Sequence, residues 1–132
     1  MKKRGILNPA ICSLLAELGH QDELLIVDAS FSLPTDAHVI DLSLIPNLPR
    51  FLDVFKAIVE ELVIESVVVA HEIHDANPRL FHEIRRVIEP GVELEEVPHR
   101  ELVEQAEDAK GIIRTGEFTP YANIRIVCGS AF

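Results

Sequence analysis

Apolar residues fall along this chain in two rhythms. Ile11, Leu14, Leu15 and Leu18 recur at the spacing that lines one face of a helix. Asn8-Pro9 precedes them, a side-chain cap followed by proline at the first helical position. Gly19 follows, the residue type that best closes a helix in the left-handed conformation. A second helix is predicted after Asn47-Leu48-Pro49, with Phe51, Leu52, Phe55, Ile58, Val59 and Leu62 as its apolar stripe. Asn77-Pro78 repeats the cap-plus-proline device ahead of Leu80, Phe81, Ile84, Val87 and Ile88, and Pro90-Gly91 stops that helix. Pro98 opens a short fourth helix carrying Leu102, Val103 and Ala106. Between these lie apolar runs over 24–27 and 67–70, the pattern of strands covered on both faces, with 112–113 and 124–128 as the last two strands and 39–42, interrupted by Asp41, as a candidate short strand. Residues 92–97 alternate roughly, as an edge strand does.

Interleaved helices and strands predict a single-domain three-layer α/β/α sandwich over residues 1–132, with a mostly parallel or mixed sheet of about six strands. At 132 residues the chain is long enough to bury a core without disulfides or structural metal. Two cysteines, Cys12 and Cys128, suggest neither a disulfide framework nor a zinc cluster and are read as buried thiols. No long apolar run is free of charge, so no spanning helix is expected, and MKKRGILNPA lacks the apolar region of a signal peptide; the expectation is a cytoplasmic protein with no membrane contact. A net charge of −10 argues against nucleic acid, whose backbone recruits clustered Lys and Arg. Aromatics at 5% with no Trp argue against a base-stacking platform. A neutral small molecule is the partner that remains.

Candidate chemistry begins in the stretch 17–34, ELGHQDELLIVDASFSLP. It places His20 after a helix stop and Asp28 at the end of a buried strand, close enough in sequence for the two to share one cleft. Imidazole exchanges protons near neutral pH; the alternative role for His20 is to cap the helix end. In open α/β sheets ligands sit beyond the carboxyl ends of the strands, which favours a functional Asp28 over a loop-entry residue bonding its own backbone. In RTGEFTPYANI, residues 114–124, Tyr121 and Asn123 offer groups suited to a polyhydroxylated ligand, although turn chemistry set by Gly116 and Pro120 explains the spacing nearly as well. His99 follows Pro98 at a helix start and reads equally as a surface residue. His71-Glu72-Ile73-His74 lacks the four-residue histidine spacing of the zincin helix and reads as an exposed polar loop, against the alternative of a metal site with His82. Glu93, Glu95 and Glu96 read as a solvated face.

AELGHQDELLIVDA near the start, EVPHREL at 96–102 and IIRTGEFTPYANIRIVCG near the end resemble the D-ribose pyranase and L-fucose mutarotase family, the ribose branch more closely. The resemblance runs in order along nearly the whole chain. It implies an enzyme that interconverts ring forms of a free monosaccharide, D-ribose above all, with no cofactor and no metal. By position, His20 matches the family's proton-donating histidine, Asp28 its sugar-binding aspartate, and His99, Tyr121, Ala122 and Asn123 the remaining sugar-contacting positions. It also implies a ring-shaped homo-oligomer, a decamer or octamer, with clefts between neighbouring subunits. The chain departs from the ribose pattern at Ser30 and Ser32, where glycine and proline are usual. Those departures keep two alternatives open, a mutarotase for another sugar such as L-fucose and a non-catalytic sugar-binding subunit. The implied chemistry suits the residues: opening a cyclic hemiacetal moves one proton off the anomeric hydroxyl and one onto the ring oxygen, a task for groups titrating near neutrality.

Overall fold

Leu24, Leu25, Ile26 and Val27 are all fully buried because the strand they form, β1 (Glu23–Val27), is covered on both faces. Alternate side chains of a strand point to opposite sides. Leu24 and Ile26 therefore enter the main core, with helices α1 (Pro9–Glu17), α2 (Phe51–Val59), α3 (Ile73–Ala76) and α4 (Pro78–Val87). Leu25 and Val27 pack on the other side against Phe31 and Ala106. That second face is closed by α5 (His99–Gln105), whose Leu102 meets Val68 and Ala70, and by the 3-10 turn Ala106–Asp108.

The computed structural model describes residues 1–132. Its one sheet has six strands in the order β2 (Val39–Asp41), β5 (Gly111–Arg114), β1, β6 (Ile124–Cys128), β3 (Ile64–Ala70) and β4 (Glu93–Val97). Strand β6 runs antiparallel to β1 and β3, and every other pairing is parallel. Five strands thus end at one edge of the sheet, where β6 begins. The mixed sheet between helical layers is the sandwich expected from the residue pattern. No helix is long and apolar enough to cross a membrane.

Local expectations hold at some ends of elements and fail at others. Asn8 caps α1 as predicted, its side chain accepting the Ile11 N–H at 3.0 Å. Burying Ile11 and Leu14, about 1.5–3 kcal/mol each, then holds a helix too short to stand alone. Gly19, however, is not the left-handed closing residue: α1 ends at Glu17 with an extended Leu18, and Gln21 takes the positive φ of 69°. The Asp22 carboxylate sets this turn by accepting the Gly19 N–H at 2.7 Å and the Lys110 ammonium at 2.9 Å. Asn77 does not cap α4 either, because its amide nitrogen donates to the Thr119 hydroxyl and the Pro120 carbonyl, each at 2.9 Å. Cys128 is buried as expected, whereas Cys12 is only half-buried.

Candidate active site

The edge where five strands end collects most of the residues singled out in the sequence. Asp28 follows β1 and Asn123 precedes β6, so antiparallel pairing brings them together across 95 residues: the Asp28 N–H donates to Asn123 Oδ1 at 2.8 Å. His99 follows β4 as the first residue of α5. Its ring meets Tyr121 edge-on, with centroids 5.2 Å apart, and Phe31 edge-on at 5.9 Å. Tyr121 reaches that position through a left-handed backbone, φ 54°, which a bulky side chain adopts only where its surroundings enforce it.

Segment 115–123 supplies that enforcement. It is not the exposed polar turn its composition suggests: Thr115, Ala122 and Asn123 are fully buried and Glu117 is 4% exposed. Thr115 Oγ1 donates to the Val27 carbonyl at 2.8 Å, the Ala29 N–H to the Glu117 carbonyl at 2.9 Å, and the Asn47 N–H to the Gly116 carbonyl. The Glu117 carboxylate accepts from Arg50 through two nitrogens, from the Phe51 N–H at 2.9 Å and from the Thr119 hydroxyl at 2.6 Å. Burial pushes the Glu117 pKa up, but the hydrogen bonds from Thr119, Phe51 and Arg50 outweigh it and the net shift is downward.

Asp28 goes the other way. It is 6% exposed, and desolvation raises its pKa above the ordinary aspartate value of 3.8. The Ser30 N–H and hydroxyl, both donating to Oδ1 at 3.0 and 3.2 Å, oppose the rise, as do the nearby Asn123 amide and His99. Ser30, read in the sequence only as a departure from pattern, thus holds the site carboxylate. The Asn123 amide lies near enough to weaken the shift, yet its Nδ2 makes no well-aligned hydrogen bond, and His99 Nδ1 is likewise buried without a partner. Buried polar atoms are nearly always partnered, so each of these two has capacity for a hydrogen bond to water or a ligand.

His20 is elsewhere. It precedes β1, and Asp28 follows it; five extended residues separate the two ends by roughly 17 Å. The expectation that the two share one cleft is therefore overturned within a single chain. His20 is half-exposed at the opposite edge, 3.4 Å from Glu65 at the start of β3. There it lines a cavity of about 420 Å³ with Leu18, Val63 and Phe132. The strand predicted over 24–27 lies between His20 and Asp28, and its extended length sets their separation.

The remaining histidines do not gather. His71 sits 3.4 Å from Glu72, and His74 bonds Glu96 at 2.7 Å and packs on Phe81. No group of three His, Cys, Asp or Glu side chains is placed to hold a metal ion. Phe31 and Glu72, which touch His99, do not stand out as candidate site residues in the sequence. For Glu72 the signal was available, since it lies two residues past a buried strand, the placement that singled out Asp28.

Fold and site together define an α/β protein with a small polar site at the carboxyl edge of a mixed sheet. Residues 1–131 match the model of the RbsD / FucU transport protein family, and the chain belongs to that family. A D-ribose pyranase of Geobacillus kaustophilus is 47% identical over 132 residues, covering 100% of this chain and 96% of that protein. The solved structure of Bacillus subtilis RbsD complexed with D-ribose superposes with a TM-score of 0.95 at 42% identity, covering 100% of both chains. A fucose mutarotase from Streptococcus pneumoniae, in complex with L-fucose, shares the fold at a TM-score of 0.81 and 21% identity, over 96% of this chain and 95% of that one.

Proposed function

We propose that this chain interconverts the pyranose and furanose forms of free D-ribose by acid/base ring opening and closing. The observation that carries the proposal is the convergence at one sheet edge of a buried carboxylate, Asp28, with two unpartnered buried polar atoms, His99 Nδ1 and Asn123 Nδ2. A polyol needs acceptors and donors set close together, and this edge offers both. Likeness to the Geobacillus enzyme and to the ribose-bound Bacillus structure, both above 40% identity over the whole chain, supports ribose over L-fucose.

In this reading Asp28, His99, Tyr121 and Asn123 bind the sugar, with Ala122 meeting it through the backbone. The anomeric hydroxyl gives up its proton as the bond from the anomeric carbon to the ring oxygen breaks, and the ring oxygen takes a proton. The resulting open-chain aldehyde is attacked by a different hydroxyl, and the two proton movements reverse. No atom is gained or lost, and no redox partner is needed. His20 is the proton donor, and because it lies at the opposite edge of its own chain, it reaches the sugar from a second copy. The active form is thus a cytoplasmic homo-oligomer, a ring of eight or ten subunits, with each site built where two copies meet.

Magnetisation-exchange NMR on D-ribose at equilibrium tests this. Wild-type protein is expected to accelerate pyranose-to-furanose exchange and His20→Ala to lose at least about a hundredfold of that acceleration, the scale of acid/base catalysis. No acceleration by wild type would overturn the reading, and full acceleration by His20→Ala would overturn the role of His20. On acidification the wild-type rate is expected to fall at a pH above the ordinary aspartate range, because burial raises the Asp28 pKa.

A further inference from the structure

Strands β3 and β4 end side by side. Ala70 pairs with Val97, and the His71 N–H donates to the Val97 carbonyl at 2.8 Å. This carries Glu72 under the start of α5, whose first residue is His99. Both Glu72 carboxylate oxygens accept the His99 N–H, at 3.0 and 3.2 Å. The preceding residue, Pro98, provides no side-chain cap, so this carboxylate is the cap of α5, delivered from another element. Beyond the backbone, the imidazole is held between the edges of Phe31 and Tyr121 with Nδ1 unpartnered.

We propose that Glu72 is a positioning residue of this site: by fixing the first turn of α5 it sets where the His99 imidazole meets the sugar. The proposal rests on the ring-interconversion reading given above. Two edge-on aromatic contacts restrain the ring, and the Glu72 carboxylate is the side chain that holds the backbone N–H of His99 itself. Displacements near an ångström at a binding group are enough to cost activity strongly. Burial raises the Glu72 pKa, but its own N–H, that of His99, and the nearby His71 and His99 rings outweigh the rise, so the net shift is downward and the cap stays ionised at neutral pH.

A double-mutant cycle separates positioning from mere support of the fold. Glu72→Ala is expected to weaken D-ribose binding about tenfold by calorimetry, the size of one lost charged hydrogen bond. Glu72→Gln, which keeps an acceptor, is expected to stay within about threefold of wild type. In a His99→Ala background, Glu72→Ala should change affinity by less than about twofold, because the group it positions is gone. Equal weakening in both backgrounds, or wild-type affinity of Glu72→Ala, would overturn the proposal. Glu72→Asp, one methylene short of the His99 N–H, replaces Glu72→Ala in every arm if the alanine variant does not fold. If wild type neither binds D-ribose nor accelerates its exchange, the functional reading fails, and Glu72 is judged without ligand. The His99 ring protons are expected to lose the ring-current shifts imposed by Phe31 and Tyr121 in Glu72→Ala and to keep them in Glu72→Gln. Unchanged shifts in Glu72→Ala would sink the positioning role.

Discussion

Asp28 and Glu117 are both buried carboxylates, yet their environments drive them in opposite directions. Glu117 is surrounded by donors on both oxygens and is structural; Asp28 has donors on one oxygen only. Removing Glu117 leaves the Phe51 N–H buried and unsatisfied and strands Arg50. Glu117→Ala is therefore expected to lower stability by about 2–4 kcal/mol at pH 7, read from the urea midpoint. Because the folded-state pKa of Glu117 is depressed, its contribution is present above its ordinary value of 4.5 and is lost as the pH falls through the folded value. The gap between wild type and Glu117→Ala should accordingly shrink on acidification below that point. Ionised Asp28 acts with the opposite sign, since a raised pKa favours folding only where the carboxyl is protonated, and neutral pH removes that contribution. Neither burial was legible in the sequence, where Asp28 ended an apolar run but Glu117 lay among turn residues.

At the scale of elements, the segment between β5 and β6 matters most. Gly116 packs so closely on the backbone of Leu48 that an added Cβ would lie 2.4 Å from its carbonyl oxygen. Gly116→Ala must push the segments around Leu48 and residues 115–123 apart, at a cost of about 1–3 kcal/mol. The same displacement moves Tyr121 and Asn123, so D-ribose affinity measured by calorimetry should fall along with the thermal midpoint. A loss of stability with unchanged affinity would mean that Tyr121 and Asn123 are decoupled from this contact. Helices and strands themselves were predicted well: every periodic run became the expected element, because one-sided or two-sided burial writes its own spacing into the chain. Ends of elements were less legible. Asn77 has the composition of a cap but bonds Thr119 and Pro120 instead, and Gly19 yields its expected conformation to Gln21. In each case a partner distant in sequence outcompeted the local rule.

For the whole molecule, the order β2-β5-β1-β6-β3-β4 decides which residues become neighbours. Placing β6 antiparallel between β1 and β3 joins Asp28 to Asn123, while β1 itself holds His20 and Asp28 apart at opposite edges. If sites form between copies, a subunit lacking His20 and a subunit lacking Asp28 complement one another. Co-refolding His20→Ala with Asp28→Asn in equal amounts is expected to restore roughly a quarter of wild-type exchange, the share of interfaces pairing one intact residue of each kind in a random ring. Continued inactivity of the mixture would overturn a site that takes His20 from one copy and Asp28 from another. What the sequence by itself determined is the periodic helices and strands, though not the short helix α3 that it read as an exposed polar loop, their alternation and hence the α/β class, together with the motifs that carry the family, because these depend on spacing along the chain. Only the tertiary structure decided that Asp28 meets Asn123, that Glu72 supports His99, and that Glu117 is buried. Those relations depend on the strand order and direction, which bring together residues tens of positions apart and which no local pattern encodes.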